Sequence, residues 1–120
     1  MSETKTYEGG CHCGAVRYQA TLDLEHPALA CNCSMCGRAG TLLVFVPGAA
    51  FKLLSGEGEL TDYQFGKKHI HHLFCRVCGI KSFARGAGRD GGETFAVNAR
   101  CLDGVETERL AIKLHDGRSQ

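Results

Sequence analysis

The sequence predicts a mainly β domain with little helix, stapled by metal. Three observations carry this. Apolar residues fall in short β-prone runs cut by turns, 16 glycines stand against two prolines, and seven of the eight cysteines sit in three tight clusters. Frequent glycine marks many turns rather than long helices. An apolar fraction of 43% is that of an ordinary folded chain and argues against disorder. A length of 120 residues fits one domain, taken as residues 1–120.

The elements follow in order. Residues 15–20 alternate, with Val16 and Tyr18 on one face and Arg17 and Gln19 on the other. Residues 41–46 are a continuous β-prone run stopped by Pro47 and Gly48. Residues 50–54 lead into a turn at Ser55, Gly56, Glu57 and Gly58. Residues 60–65 and 69–74 flank Gly66, Lys67 and Lys68 and read as a hairpin. Residues 80–85 form the next strand, and a glycine-rich loop over 86–92 precedes a strand at 94–98. A last strand includes residues 110–114. Only residues 34–40 read as a short helical turn.

The cysteine clusters are Cys11-His12-Cys13, Cys31-Asn32-Cys33-Ser34-Met35-Cys36 and Cys75-Arg76-Val77-Cys78, each followed by glycine (Gly14, Gly37 and Gly79). Cysteines one or two residues apart can aim their sulfurs at one point and grip a soft metal ion. A following glycine can take positive φ and fold later N–H groups back toward the thiolates. Two clusters supply two sulfurs each, enough to close a tetrahedral site. The third supplies three and leaves a corner open. Closed zinc sites are usually structural and open ones catalytic.

Disulfides are the competing reading of eight cysteines. The first residues carry no apolar signal-like stretch, and no apolar run nears the ~20 residues that span a bilayer. A cytoplasmic location is therefore expected, where thiols stay reduced and metal is favoured. A shared ion would tie Cys13 to Cys75 across the 61 residues between them. Such a clip closes a long loop in a small domain.

The formal net charge of +1 implies neither nucleic acid nor membrane. Two thiolate-held zinc ions would move it to about −2. Residues 63–89 contain no acid but include Lys67, Lys68, Arg76, Lys81, Arg85 and Arg89. This stretch reads as a solvated basic face, with an anion site beside a metal as the alternative. Three tyrosines and no tryptophan offer few stacking platforms for single strands, so nucleic acid is not expected.

The ordered pattern C-x-C, C-x-C-x-x-C, C-x-x-C-G resembles the glutathione-dependent formaldehyde-activating enzyme family, also called the centromere-protein-V-like family. The matching residues are Gly10-Cys-His-Cys-Gly-Ala-Val-Arg-Tyr18, Cys31-Asn-Cys-Ser-Met-Cys-Gly-Arg38 and Phe74-Cys-Arg-Val-Cys-Gly79. Asn98-Ala-Arg-Cys-Leu-Asp-Gly104 and Leu114-His-Asp-Gly117 extend the likeness over nearly the whole chain. The resemblance implies a β-tent of two packed antiparallel sheets. It implies a structural zinc on Cys11, Cys13, Cys75 and Cys78, and a catalytic zinc on Cys31, Cys33 and Cys36, two ions per chain. It implies a carbon–sulfur lyase activity joining a thiol such as glutathione to an aldehyde, formaldehyde in the type enzyme.

Around that site, Ser34 and Met35 are candidates for the mouth, and Arg38 or the Lys67–Lys68 pair for a glutathione carboxylate. Cys101, outside the clusters, reads as a small buried hydrophobe, or as a fourth ligand that would close the second site. His12 is expected to point away from metal. His69 and His71 share one strand face and His72 takes the other. Either set could add an imidazole to the trio, but both read as surface or hydrogen-bonded histidines. Asp103 and Asp116 read as turn residues. A zinc-stabilised binding module and a thiol-based zinc or redox sensor remain open as alternatives to an enzyme.

Overall fold

A computed structural model describes residues 4–65, 68–88 and 92–117. Ten strands, one α-helix and four 3₁₀ turns are assigned among them. The strands are β1 (Lys5–Gly10), β2 (Arg17–Leu22), β3 (Ala28–Cys31), β4 (Leu43–Pro47) and β5 (Phe51–Ser55). They continue as β6 (Leu60–Tyr63), β7 (Ile70–Cys75), β8 (Phe83–Ala87), β9 (Glu93–Asn98) and β10 (Ile112–His115), and the helix α1 spans Ser34–Ala39.

The mainly β, two-sheet expectation holds. One sheet has the order β1-β2-β5, and the other β10-β3-β4-β9-β8-β7-β6. All pairs are antiparallel except β10 on β3, which run parallel in the register His115 to Cys31. The chain's last strand thus returns to an edge laid down some eighty residues earlier. No local pattern announces such a pairing, and β1 and β3 lie in stretches whose sequence gave no strand signal.

The alternation in β2 sets the core. Val16, Tyr18, Ala20 and Leu22 are buried between the sheets. The Tyr18 ring stacks on Phe51 at 5.2 Å and meets Phe83 edge-on at 5.8 Å, while Phe51 stacks on Phe95 at 4.1 Å. These rings bolt the small sheet to the large one by burying apolar area. Burial pushes the Tyr18 phenol far above its usual range, as expected for a hydroxyl kept neutral in a core.

The predicted hairpin forms, with β6 antiparallel to β7 in the register Leu60 to Cys75. Its turn residues Gly66 and Lys67 lie outside the described residues. The predicted loop over 86–92 is shorter than expected, because β8 runs to Ala87 and β9 starts at Glu93; Arg89 lies outside the described residues. The helical turn forms as predicted. Cys33 caps its start by accepting from the Cys36 N–H, and Gly40, at φ +68°, ends it.

Candidate metal centres and the pocket beside them

The first centre joins both ends of the β1–β7 stretch. Cys11 and Cys13 follow β1, Cys75 ends β7, and Cys78 sits in the turn after it. Their four sulfurs lie within 4.8 Å of one another. Cys11 to Cys13 and Cys13 to Cys75 are each 3.6 Å. A tetrahedral zinc with Zn–S bonds of ~2.3 Å places its sulfurs about 3.8 Å apart, so the set fits the ion.

The backbone around this centre is arranged for thiolates. Val16 N–H donates to the Cys11 sulfur at 3.3 Å, and the N–H groups of Val77 and Cys78 donate to the Cys75 sulfur at 3.4 and 3.5 Å. Gly14 and Gly79 take φ of +85° and +80°, as the spacing predicts. Gly37 does not, because it lies inside α1; the positive φ there falls on Gly40, which caps the helix.

Four thiols this close cannot all carry charge alone. The Ile80 and Cys13 N–H groups bring the Cys78 thiol down to about 6. Cys13 is pushed up to about 12: the Ala15 N–H favours its thiolate, but burial and the three neighbouring sulfurs outweigh it. A divalent cation removes this conflict, which is the electrostatic form of the fit.

The second centre is local. Cys31 ends β3, Cys33 caps α1 and Cys36 lies in its first turn. These three half-buried sulfurs also lie within 4.8 Å of one another. Cys33 N–H donates to the Cys31 sulfur at 3.5 Å, and Cys36 N–H to the Cys33 sulfur at 3.3 Å. Burial and the adjacent Cys33 raise the Cys36 thiol to about 11. Burial also acts on Cys33, but the Cys36 N–H and the neighbouring thiols outweigh it and lower that thiol. Among the described residues no fourth Cys, His, Asp or Glu joins the trio.

The closing segment seals one side of this centre. Asn32 N–H donates to the His115 carbonyl at 3.1 Å, and the Asn32 side chain to Asp116 at 3.0 Å. Gly117 packs directly on the sulfurs: a Cβ there would stand 2.6 Å from the Cys31 sulfur and 3.1 Å from Cys33 Cβ. Glycine is required by proximity, not by backbone angle.

The trio lines a pocket of about 390 Å³ that the four-cysteine centre does not reach. Leu29, Leu43, Phe45, Ile70 and Ala96 form much of its wall, and His72 and Lys81 lie within it. Lys81 Nζ bonds His72 Nδ1 at 2.8 Å, and both residues are buried. Burial lowers the lysine, against the opposing pull of Cys36 and Cys33. Burial first, and then the Lys81 charge, bring His72 down to about 4, so the imidazole is neutral and accepts at Nδ1.

The profile of the glutathione-dependent formaldehyde-activating enzyme family matches residues 6–115. The chain belongs to this family. A crystal structure of a Rhodobacter sphaeroides protein is similar, with 33% identity and a TM-score of 0.79, over 90% of this chain and 99% of that one. Family membership suggests glutathione-dependent formaldehyde activation, and both sulfur sets could hold zinc. No described helix is long and apolar enough to cross a membrane.

The structure thus brings together both predicted sulfur sets and separates several companions from them. Arg38 is exposed and donates to the Ser34 carbonyl at 3.1 Å; neither it, Ser34, Met35 nor Lys68 lines the pocket. Lys67 is outside the described residues. Cys101 is not in the trio; its sulfur lies 3.8 Å from the Lys81 carbonyl. His71 bonds Asp62 at 2.6 Å, and Asp103 pairs with Arg17. The basic stretch is not one solvated face: Arg76 pairs with Glu59, Arg85 with Glu93, and Lys81 is buried.

Residues missed from the sequence are His72, as a pocket residue bound to lysine, together with Lys81, His115 and Gly117. Lys81 sits in a run of cations that reads as surface. Beside it, the Asn98 side chain donates to the Lys81 carbonyl at 2.9 Å and accepts from Leu42 N–H at 3.3 Å. That tie draws the 81 and 42 segments together across the sheet.

Proposed function

We propose that the chain is one zinc domain acting as a carbon–sulfur lyase on a small thiol–aldehyde adduct, of the S-hydroxymethylglutathione type. The observation that carries this is the trio's place on the pocket wall, with no fourth protein ligand among the described residues. Cys31, Cys33 and Cys36 hold the catalytic zinc, and Cys11, Cys13, Cys75 and Cys78 the structural one. Bound zinc would supply a coordination position that favours thiolate over thiol at neutral pH.

The chain's own residues then do the positioning. The trio fixes where the substrate sulfur sits, and the pocket wall fixes where the aldehyde carbon lies relative to it. In the cleavage direction the adduct's C–S bond breaks, its electron pair stays on sulfur, and the hydroxyl proton passes to solvent water at the pocket mouth as the C=O bond forms. Apolar walls limit water at that carbon. Cysteine-only ligation suits a reducing, cytoplasmic setting.

The test is thiol binding and turnover on zinc-loaded protein. Crystals soaked with glutathione and smaller thiols should show a sulfur within bonding distance of the second zinc. S-hydroxymethylglutathione breakdown should accelerate with the native chain and not with Cys33→Ser. If no thiol enters the metal's open position and no adduct is turned over, the lyase reading is wrong.

A further inference from the structure

The pocket extends well past the sulfur trio, and its chemistry is lopsided. Formaldehyde carries no substituent, so a one-carbon unit would leave most of 390 Å³ unfilled. The wall is aliphatic and aromatic. Phe45 and Ile70 present large apolar surfaces, 56% and 50% exposed, at its rim. Leu43, Ala84 and Ala96 form a small buried apolar cluster beneath, packed against Leu29 and Cys36. Exposed apolar surface that rims a concave site next to metal-ligating sulfurs is a substrate surface rather than a packing remnant.

Of the two cations lining the pocket, Arg85 is paired with Glu93 and Lys81 has no acidic partner among the described residues. Lys81 is 8% exposed and lines the same pocket. An ammonium has three donors, and His72 Nδ1 takes one. No carboxylate pairs with Lys81 among the described residues, and Nζ makes no other hydrogen bond there. A buried cation keeping donors toward a cavity calls for an acceptor in that cavity. The His72 contact fixes the amine's position, and the ring stack of His72 on Phe65, with centroids 5.2 Å apart, fixes the imidazole.

We propose that this pocket takes the aldehyde half of the adduct, that the aldehyde bears an apolar aromatic or branched aliphatic group, and that Lys81 Nζ donates to its oxygen. The inference rests on the lyase reading of the same site and names its substrate class. The sulfur lies at the trio, the oxygen at Lys81, and the substituent against Phe45, Ile70 and Leu43. A carbon between sulfur and oxygen is what a hemithioacetal provides. Arg85, the other cation lining the pocket, pairs with Glu93, so glutathione's own carboxylates would extend outward past the rim.

Two measurements separate this from the lyase reading. Cobalt-substituted protein titrated with glutathione reports thiol binding as a saturable, glutathione-dependent change in the sulfur-to-cobalt absorption that its own cysteines already give, a change termed the glutathione band. Ligand-observed NMR with benzyl alcohol, an inert stand-in for ring and oxygen, reports the pocket on metal-loaded protein. The expected result is saturable benzyl alcohol binding, weakened several-fold in both Phe45→Ala and Lys81→Met, with methanol failing to compete. Turnover of adducts made from one thiol should then rise about 4-fold per buried methylene from formaldehyde upward. Phe45 is half exposed, so its truncation leaves the fold intact, and the glutathione band checks this. A glutathione band without benzyl alcohol binding, or with binding indifferent to both substitutions, overturns the pocket assignment alone. Absence of the glutathione band refutes the lyase reading and the aldehyde assignment with it.

Discussion

Removing one sulfur from each centre should have very different consequences. Cys13 and Cys75 are 62 positions apart, and their sulfurs meet at 3.6 Å. Holding a loop of that length closed removes about 4 kcal/mol of chain entropy from the unfolded state, using the cross-link relation as a guide. The same relation gives about 2 kcal/mol or less for the trio, whose neighbouring sulfurs are two and three positions apart. Domains of this size hold only about 5–15 kcal/mol in total. At about 4 °C per kcal/mol, Cys13→Ser should lower Tm by about 15 °C or cause aggregation. Cys33→Ser should lower it by less than half as much. The assay is thermal unfolding by circular dichroism, with zinc counted by mass spectrometry on the same samples. Native protein should carry two zinc ions, and Cys33→Ser one. The reasoning fails if Cys33→Ser unfolds as readily as Cys13→Ser, or if Cys13→Ser keeps both ions and its Tm.

Three further outcomes follow from particular contacts. Gly117→Val should displace Cys31, since even one carbon would stand 2.6 Å from its sulfur; overpacking of this kind costs ~1–3 kcal/mol, so zinc affinity at the trio should fall at least several-fold with the Tm change confined to a few degrees, as read by chelator competition. His72 should stay neutral to about pH 4, visible in its imidazole nitrogen NMR shifts. Because the folded value lies below the unfolded one, near 6.5, its stabilisation is complete above pH 6.5 and is lost as pH falls toward 4, by up to about 3 kcal/mol; His72→Gln should flatten that part of the urea-stability profile relative to native protein. A mild chelator should strip the trio before the four-cysteine centre while circular dichroism stays constant, because only the latter ties β1 to β7.

The sequence by itself determined what is local or compositional. Clustered sulfurs picked out both sets that could hold a metal ion, four in one and three in the other. Strict alternation placed Val16 and Tyr18 inside, and Pro47 with Gly48 marked the end of β4. The glycine rule worked at Gly14 and Gly79, where the chain turns, and failed at Gly37, where Cys33 had already started a helix. Only the tertiary structure decided what surrounds the trio. The parallel return of β10 onto β3 brings Gly117 against Cys31 from more than eighty residues away. Lys81 is buried against His72, so a cation that reads as surface becomes part of the pocket. Arg38 points the other way for a local reason, since its guanidinium satisfies the carbonyl one helical turn behind it. Chelation by near neighbours is a short-range property that spacing records. Burial and long-range register depend on which distant strands pair, and no window of sequence contains both partners.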